Sequence, residues 1–178
     1  VGTMIVLSQY IGAKKSDEEL GNIAKASMIM VVSFSIVMSL VVIFGTEPLL
    51  SCYTLEDSVR NYAHEYFVIF CGIGSVFIAF NLMQGAVVRA YGYTKEILVA
   101  TILANLINVL GNTLSLYGWF GLPVFGLPGV AVSSVIGNIS SCIYLACVIE
   151  KKKEIQFSAR GIFSVGGTYF KKILKFHV

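Results

Sequence analysis

The chain has 178 residues, 56% of them hydrophobic and only 13% charged, and carries a formal net charge of +3. Soluble domains contain about 25% charged and about 45–50% apolar residues, so this composition argues against a soluble domain. The positive charges flank apolar stretches instead of clustering on one face. We therefore attribute them to membrane topology and expect no nucleic-acid partner.

Three long uncharged stretches cover residues 26–46, 66–88 and 97–149. A transmembrane helix needs about 20 mostly apolar residues, so the first two stretches predict one span each. The third is long enough for two spans, and a Gly- and Pro-rich break over 118–129 divides it. Only helices or closed barrels satisfy the backbone inside a bilayer, and these stretches lack the alternation of barrel strands. We predict an all-α integral membrane protein, a polytopic bundle of about four complete transmembrane helices.

The basic residues predict which ends of the helices face the cytoplasm. Twelve of the thirteen Lys and Arg residues, all except Arg60, fall in alternate gaps between the apolar stretches. Short loops on the cytoplasmic side carry an excess of Lys and Arg, so we assign the helix ends near Lys14, Lys95 and Lys151 to the cytoplasm. The sequence therefore predicts a multi-pass protein of the cytoplasmic membrane.

The first apolar run of the chain is too short to cross a bilayer, and residues 171–178 look like the start of a further helix. We interpret the chain as an internal fragment with a truncated helix at each end. The next helix starts at a capping-box signal, Ser16 with Glu19 three residues later. We expect this helix to end near Gly45, because Pro48 cannot continue the ladder of backbone hydrogen bonds.

A second capping signal at Thr54 predicts the following helix, over about 59–88. Two more helices are predicted over about 97–117 and 130–149. Residues 150–169 mix isolated apolar residues with polar ones and glycines. Because their apolar run is short, we expect an interfacial segment or an interdomain linker there.

No Asp, Glu, Lys, Arg or His lies in the central part of a predicted span. A membrane enzyme needs convergent acid, base, nucleophilic or metal-ligating groups, and the spans offer no such set. The four cysteines also lack metal-ligand spacing. We therefore predict a protein that is not an enzyme, with no metal site and no cofactor.

Polar neutral residues do occur at depth, and the clearest group is Asn105, Asn108 and Asn112. Their spacing, i, i+3 and i+7, places them on one helix face. An amide in hydrocarbon needs hydrogen-bond partners, so this face is expected to meet another helix or a wet cavity. Two interpretations remain open, namely hydrogen bonding between helices alone or amide oxygens that bind a ligand beside a cavity.

The last predicted span carries Ser134 and Asn138 one turn apart, and these residues could complete a polar pocket with the asparagine face. Beside them, small residues recur every fourth position and favour close helix approach; they are Ser133, Gly137 and Ser141. Asn81 and Gln84 form a weaker polar patch on an earlier span.

Several strings of the sequence resemble the multidrug and toxic compound extrusion family, MATE. They are SQYIGAK at 8–14, VRAYGYTK at 88–95, NVLGN at 108–112, YGWFGLP at 117–123 and GLPGVA at 126–131. The second string is similar to the inner-loop motif of the family, with Arg89, Gly92 and Lys95 at the matching positions and Tyr93 where the family usually has Asp.

The resemblance implies a twelve-helix antiporter of two six-helix lobes, which exports organic, often cationic compounds against Na⁺ or H⁺. Residues 1–149 would form part of the amino-terminal lobe, from the end of helix two through helix six. Residues 150–178 would form the cytoplasmic interlobe linker and the start of helix seven. The implied partners are the lipid bilayer, small drug-like substrates and the remaining helices of the transporter.

The resemblance also implies a cation and substrate pathway in this lobe. Asn108 matches an asparagine of the cation site, Asn112 stands where one branch of the family has Asp, and Ser134 stands where Thr is usual. An Asp on the first helix, which this sequence does not contain, would belong to the same site.

Three alternatives stay open at this stage. A related flippase for lipid-linked oligosaccharides would be built from similar helices, but its cavity would be expected to carry basic residues, and none lies at depth here. An integral membrane enzyme lacks a catalytic set in the spans. A membrane scaffold would need only the small-residue packing.

Overall fold

A computed structural model describes residues 2–118, 123–152 and 155. Its elements in chain order are α1 (Gly2–Gly12), α2 (Asp17–Ser51), α3 (Asp57–Tyr66), a π-helical segment (Phe67–Ile73), α4 (Gly74–Ala90), α5 (Thr94–Tyr117) and α6 (Gly126–Lys151). The stretch from Asp57 to Ala90 is helical throughout. Together with α2, α5 and α6 it gives four helices long and apolar enough to cross a membrane, which confirms the predicted fold class.

Helix α2 begins as the sequence predicts but ends later. The Ser16 Oγ accepts a hydrogen bond from the Glu19 backbone N–H at 3.4 Å, which confirms the cap. The predicted end near Gly45 is wrong, because the helix continues through Pro48 to Ser51. Proline removes a single N–H donor, and the Ser51 hydroxyl donates to the Pro48 carbonyl at 2.7 Å in the turn that follows. So close to a helix end, the lost bond does not stop the helix.

Several other helix boundaries also lie outside the predicted ones, whereas the predicted end of α5 at Tyr117 is confirmed. Helix α3 begins at Asp57 with Glu56 as its N-cap, so the cap predicted at Thr54 is wrong. Helices α5 and α6 begin at Thr94 and Gly126, earlier than the apolar stretches indicated. Apolarity marks only the part of a helix that lies in hydrocarbon, whereas the helical backbone extends beyond it.

The π-helical segment sits inside the second long helical stretch and is tied to α2. The Gly72 carbonyl accepts hydrogen bonds from the Ser39 hydroxyl of α2 at 2.8 Å and from the Ser75 hydroxyl at 2.7 Å. A Cβ added at Gly72 would lie 2.9 Å from the Ile43 side chain, so glycine allows this close approach. Nothing in the sequence pattern predicted this irregularity.

The buried core lies at one end of the bundle, where α1, α2, α4, α5 and α6 converge. Its most buried side chains include Leu7, Ile23, Val87 and Leu145. These residues lie near the charged helix ends that the sequence assigns to the cytoplasm. Farther along, α2 leaves large apolar side chains exposed, such as Phe44, which is 76% exposed. Such a surface suits contact with lipid or with further helices.

The segment predicted as interlobe linker, 150–178, is described only at its start. Helix α6 continues to Lys151, and Ile155 packs into the buried core. Residues 153–154 and 156–178 lie outside the described residues. The division at residue 149 and the start of a further helix therefore stay predictions.

Candidate functional site

Helices α5 and α6 lie so close together that glycine is needed at their contact. A Cβ added at Gly137 would lie 2.8 Å from the Ala104 carbonyl oxygen. One added at Gly111 would collide with the Ser133 side chain, and one at Gly129 would lie 2.6 Å from the Ser115 Oγ. Ser133, Gly137 and Ser141 are buried, as the small-residue spacing predicted.

This close contact brings three of the predicted site residues into one hydrogen-bonded row. The Asn112 Nδ2 donates to the Asn108 Oδ1 at 2.7 Å. The Asn108 Nδ2 donates in turn to the Ser134 Oγ at 3.0 Å. The Ser134 hydroxyl donates to the Val130 carbonyl at 3.0 Å. We call Asn108, Asn112 and Ser134 the amide row. Its members lie on two helices, and each fixes the orientation of the next.

One atom of the amide row is left without a partner. The Asn112 Oδ1 is buried and accepts no hydrogen bond from any described residue. A buried acceptor left in this state costs about 1–3 kcal/mol. Its amide nitrogen donates to Asn108, so hydrogen bonding within the row uses the amide nitrogen and leaves the buried carbonyl oxygen without a donor.

Asn138 and Asn81 extend the polar contact to α4. The Asn138 Nδ2 donates to the Ser134 backbone carbonyl at 2.9 Å, one turn back on α6. The Asn138 carbonyl accepts from the Asn81 Nδ2 at 3.3 Å. Asn81 therefore links α4 to α6. Both amide nitrogens bind backbone carbonyls, so these residues support the helices around the amide row.

The structure does not bring Asn105 or Gln84 into the amide row. Asn105 is exposed, and its neighbour Ala104 packs against Gly137 of α6. Gln84 is only 2% exposed, and its Oε1 has no partner among the described residues. No hydrogen bond joins Gln84 to the amide row within the part of the chain that the structure describes.

The inner-loop motif lies on the tight turn between α4 and α5. Gly92 has φ = 83°, a left-handed conformation that favours glycine. Arg89 and Lys95 flank this turn and are exposed. At a rise of 1.5 Å per residue, Lys95 lies about 20 Å along α5 from Asn108. The motif therefore shapes the turn and does not contribute to the amide row.

A cleft elsewhere in the bundle is a separate feature. It has a volume of about 600 Å³, lies between α2 and the stretch formed by the π segment and α4, and is lined mainly by apolar side chains such as Phe34 and Phe70. Of the described residues that line it, none belongs to the predicted site.

One protein family and several known proteins are similar to this chain in sequence. The MatE family model matches residues 1–114. The uncharacterized transporter YisQ of Bacillus subtilis is 30% identical over 98% of this chain and 38% of its own length. A probable multidrug resistance protein NorM of Bacillus cereus is 28% identical over 92% of this chain and 35% of its own length. The chain thus spans just over a third of the length of these relatives.

A solved structure supports the same fold. It shows the inward-facing conformation of a multidrug resistance MATE family transporter of the MOP superfamily, with a TM-score of 0.83 and 20% sequence identity. The similarity covers 98% of this chain and 39% of that one. The predicted bundle and family are confirmed. Because the family model covers 114 of the 178 residues, this chain belongs to the MATE family, a family of membrane transporters and not of enzymes.

Proposed function

We propose that the transporter containing this chain is a secondary active exporter of small organic, often cationic compounds. In this proposal it works by antiport against Na⁺ or H⁺ in the cytoplasmic membrane, with its Lys-rich helix ends inside. Two lobes alternately open a central cavity to either side. The proposal is supported by the similarity to proteins named as multidrug resistance proteins. The observation that carries it is the buried, unpartnered Asn112 Oδ1.

In this proposal the amide row helps to bind the coupling ion. Carbonyl oxygens are neutral ligands for hard cations, and the Asn112 Oδ1 is such an oxygen. The Ser134 hydroxyl accepts from Asn108 and so keeps the Asn108 Oδ1 directed at Asn112. The row carries no charge of its own. The family resemblance implies that a carboxylate on the first helix, outside this sequence, supplies the negative charge.

A flippase for lipid-linked oligosaccharides would use the same architecture with a different cargo. Anionic head groups need basic side chains in the cavity. The described spans hold no such side chain at mid-depth, since their Lys and Arg residues lie near helix ends. We therefore favour organic compounds as the cargo.

Removing both amides should strongly reduce coupled export. In the full-length transporter, the double variant Asn108→Leu, Asn112→Leu is expected to lower the initial rate of dye or drug efflux by about tenfold or more, a factor that corresponds to about 1.4 kcal/mol. Asn105→Leu is the matched control, because it removes an exposed amide of the same helix that lies outside the amide row. Efflux at the parental rate in the double variant, at equal membrane abundance, would contradict the proposal.

Placing a titratable group in the amide row should make export respond differently to pH. We expect Asn112→Asp to change the pH profile of efflux between about pH 6 and pH 8, because a carboxyl there would exchange protons beside the ion path. Asn105→Asp introduces the same group on the same helix away from the row and should leave the profile parental. An unaltered profile in Asn112→Asp, or the same change in both variants, would argue against this position of the ion path.

A further inference from the structure

A small pocket of about 370 Å³ lies between the first turn of α5 and the last turns of α6. It contains charged side chains of both signs. Its lining consists of Glu96, Tyr144, Cys147, Val148, Lys151 and Lys152. It belongs to neither the amide row nor the inner-loop motif, and no residue at the candidate site contributes to it. We call it the inner pocket.

The acidic side of the inner pocket is fixed in place. The Tyr144 hydroxyl donates to the Glu96 Oε2 at 2.7 Å and joins α6 to α5. Glu96 forms no salt bridge within the part of the chain that the structure describes. One carboxylate oxygen is therefore held by tyrosine, and the carboxylate has no cationic partner among the described residues.

The basic side of the inner pocket is separate from this carboxylate. The Lys152 Nζ lies 4.7 Å from the centroid of the Tyr93 ring, and Lys151 is exposed. Neither ammonium pairs with a carboxylate of the described residues. The pocket thus offers two cations and one anion with no salt bridge among them, a pattern that fits a ligand carrying both charges.

The surroundings of the inner pocket are those of a lipid head-group site. Tyrosine and lysine are typical of the membrane–water interface, and the charge rule places these helix ends at the cytoplasmic leaflet. One turn deeper, Val99 follows Glu96 on α5 and Ile143 precedes Cys147 on α6. They are 46% and 60% exposed. Exposed apolar side chains thus lie about one helical turn from the pocket on both helices, and such a surface suits acyl chains.

We propose that the inner pocket binds the head group of phosphatidylethanolamine from the inner leaflet. Lys151 and Lys152 bind the phosphate, and Glu96 binds the ammonium. Charge-assisted hydrogen bonds of this kind are among the strongest that proteins form, and basic pockets beside transmembrane helices recruit lipid phosphates. The trimethylated ammonium of phosphatidylcholine has no N–H to donate, and phosphatidylglycerol has no cation for Glu96.

Lipid binding to the full-length transporter tests this assignment without any transport assay. Native mass spectrometry in equimolar phosphatidylethanolamine, phosphatidylglycerol and phosphatidylcholine of identical acyl chains should show phosphatidylethanolamine adducts about tenfold above phosphatidylcholine, the effect of one charge-assisted bond. Glu96→Gln should remove this preference, and it should leave phosphatidylglycerol binding unchanged or strengthen it, because the variant removes a negative charge beside an anionic head group. The variant amide still accepts from Tyr144, so the helix contact is kept.

The double variant Lys151→Ala, Lys152→Ala should weaken adducts of all three lipids, because each carries the phosphate. The control Lys14→Ala, Lys15→Ala removes two charges from the same end of the bundle, outside the pocket, and should change nothing. Equal binding of phosphatidylethanolamine and phosphatidylcholine would overturn the proposal. A preference that survives Glu96→Gln, or one for phosphatidylglycerol over both other lipids, would overturn it as well.

Discussion

The variant Gly137→Ala is expected to unfold at a lower temperature than the parental protein, although alanine is the better helix former. Its Cβ would lie 2.8 Å from the Ala104 carbonyl oxygen, a backbone atom that no side-chain rotation can move away. Helices α5 and α6 would have to separate. Overpacking of this kind costs about 1–3 kcal/mol, which exceeds the gain of about 1 kcal/mol from replacing a helical glycine.

Gly45→Ala is the control, since it makes the same change in α2 at a position where the added Cβ meets nothing within 4 Å. It should leave the unfolding temperature unchanged or raise it. Thermal unfolding of the full-length transporter in detergent measures both variants. If Gly137→Ala were as stable as Gly45→Ala, the close approach of α5 and α6 would be wrong, and with it the geometry of the amide row.

The second prediction concerns the stability of variants at Asn108 and Asn112, which bond to each other. Asn108→Leu alone should destabilise the protein by about 1–3 kcal/mol, because it leaves the buried Asn112 amide without its acceptor. Asn108→Leu together with Asn112→Leu should cost less than the sum of the two single changes, since replacing both partners by apolar groups leaves no stranded amide.

This double-mutant cycle separates the effect of the two asparagines on stability from their effect on transport. The double variant is expected to regain part of the stability lost in Asn108→Leu and still to show the reduced efflux rate, which a purely structural role for the asparagines does not explain. Thermal unfolding and efflux should be measured on the same preparations. Strictly additive stability changes would mean that the two side chains do not bond to each other.

Much of the fold could be predicted from the sequence, because charge and apolarity are local properties of the chain. The uncharged stretches located the four long helices, and Ser16 with Glu19 marked one helix start correctly. The prediction that Pro48 ends the helix was wrong, because the free-energy cost of a proline in a helix depends on how close it lies to the helix end. The π segment and its bond from Ser39 depend on the packing of α2 against its neighbour, which no local pattern records.

For the candidate site as well, the sequence predicted which residues share a helix face but not which of them meet a partner. The spacing of the asparagines identified a polar helix face, and it placed Asn105 on that face together with Asn108 and Asn112. Which of them meets a partner depends on the register between α5 and α6, and that register puts Ser134 beside Asn108 and Gly137 beside Ala104. The Glu96–Tyr144 contact, 48 residues apart in sequence, could not be predicted for the same reason.

The π-helical segment also changes the angular phase of the span that contains it. An extra residue in a helical turn rotates everything beyond it by about 100° relative to an uninterrupted α-helix. Side chains of α3 and α4 that would lie on one face of an uninterrupted helix therefore point in different directions around the helix axis. The two parts of a single membrane crossing can thus present different faces to the helices around them, without any change in chain direction.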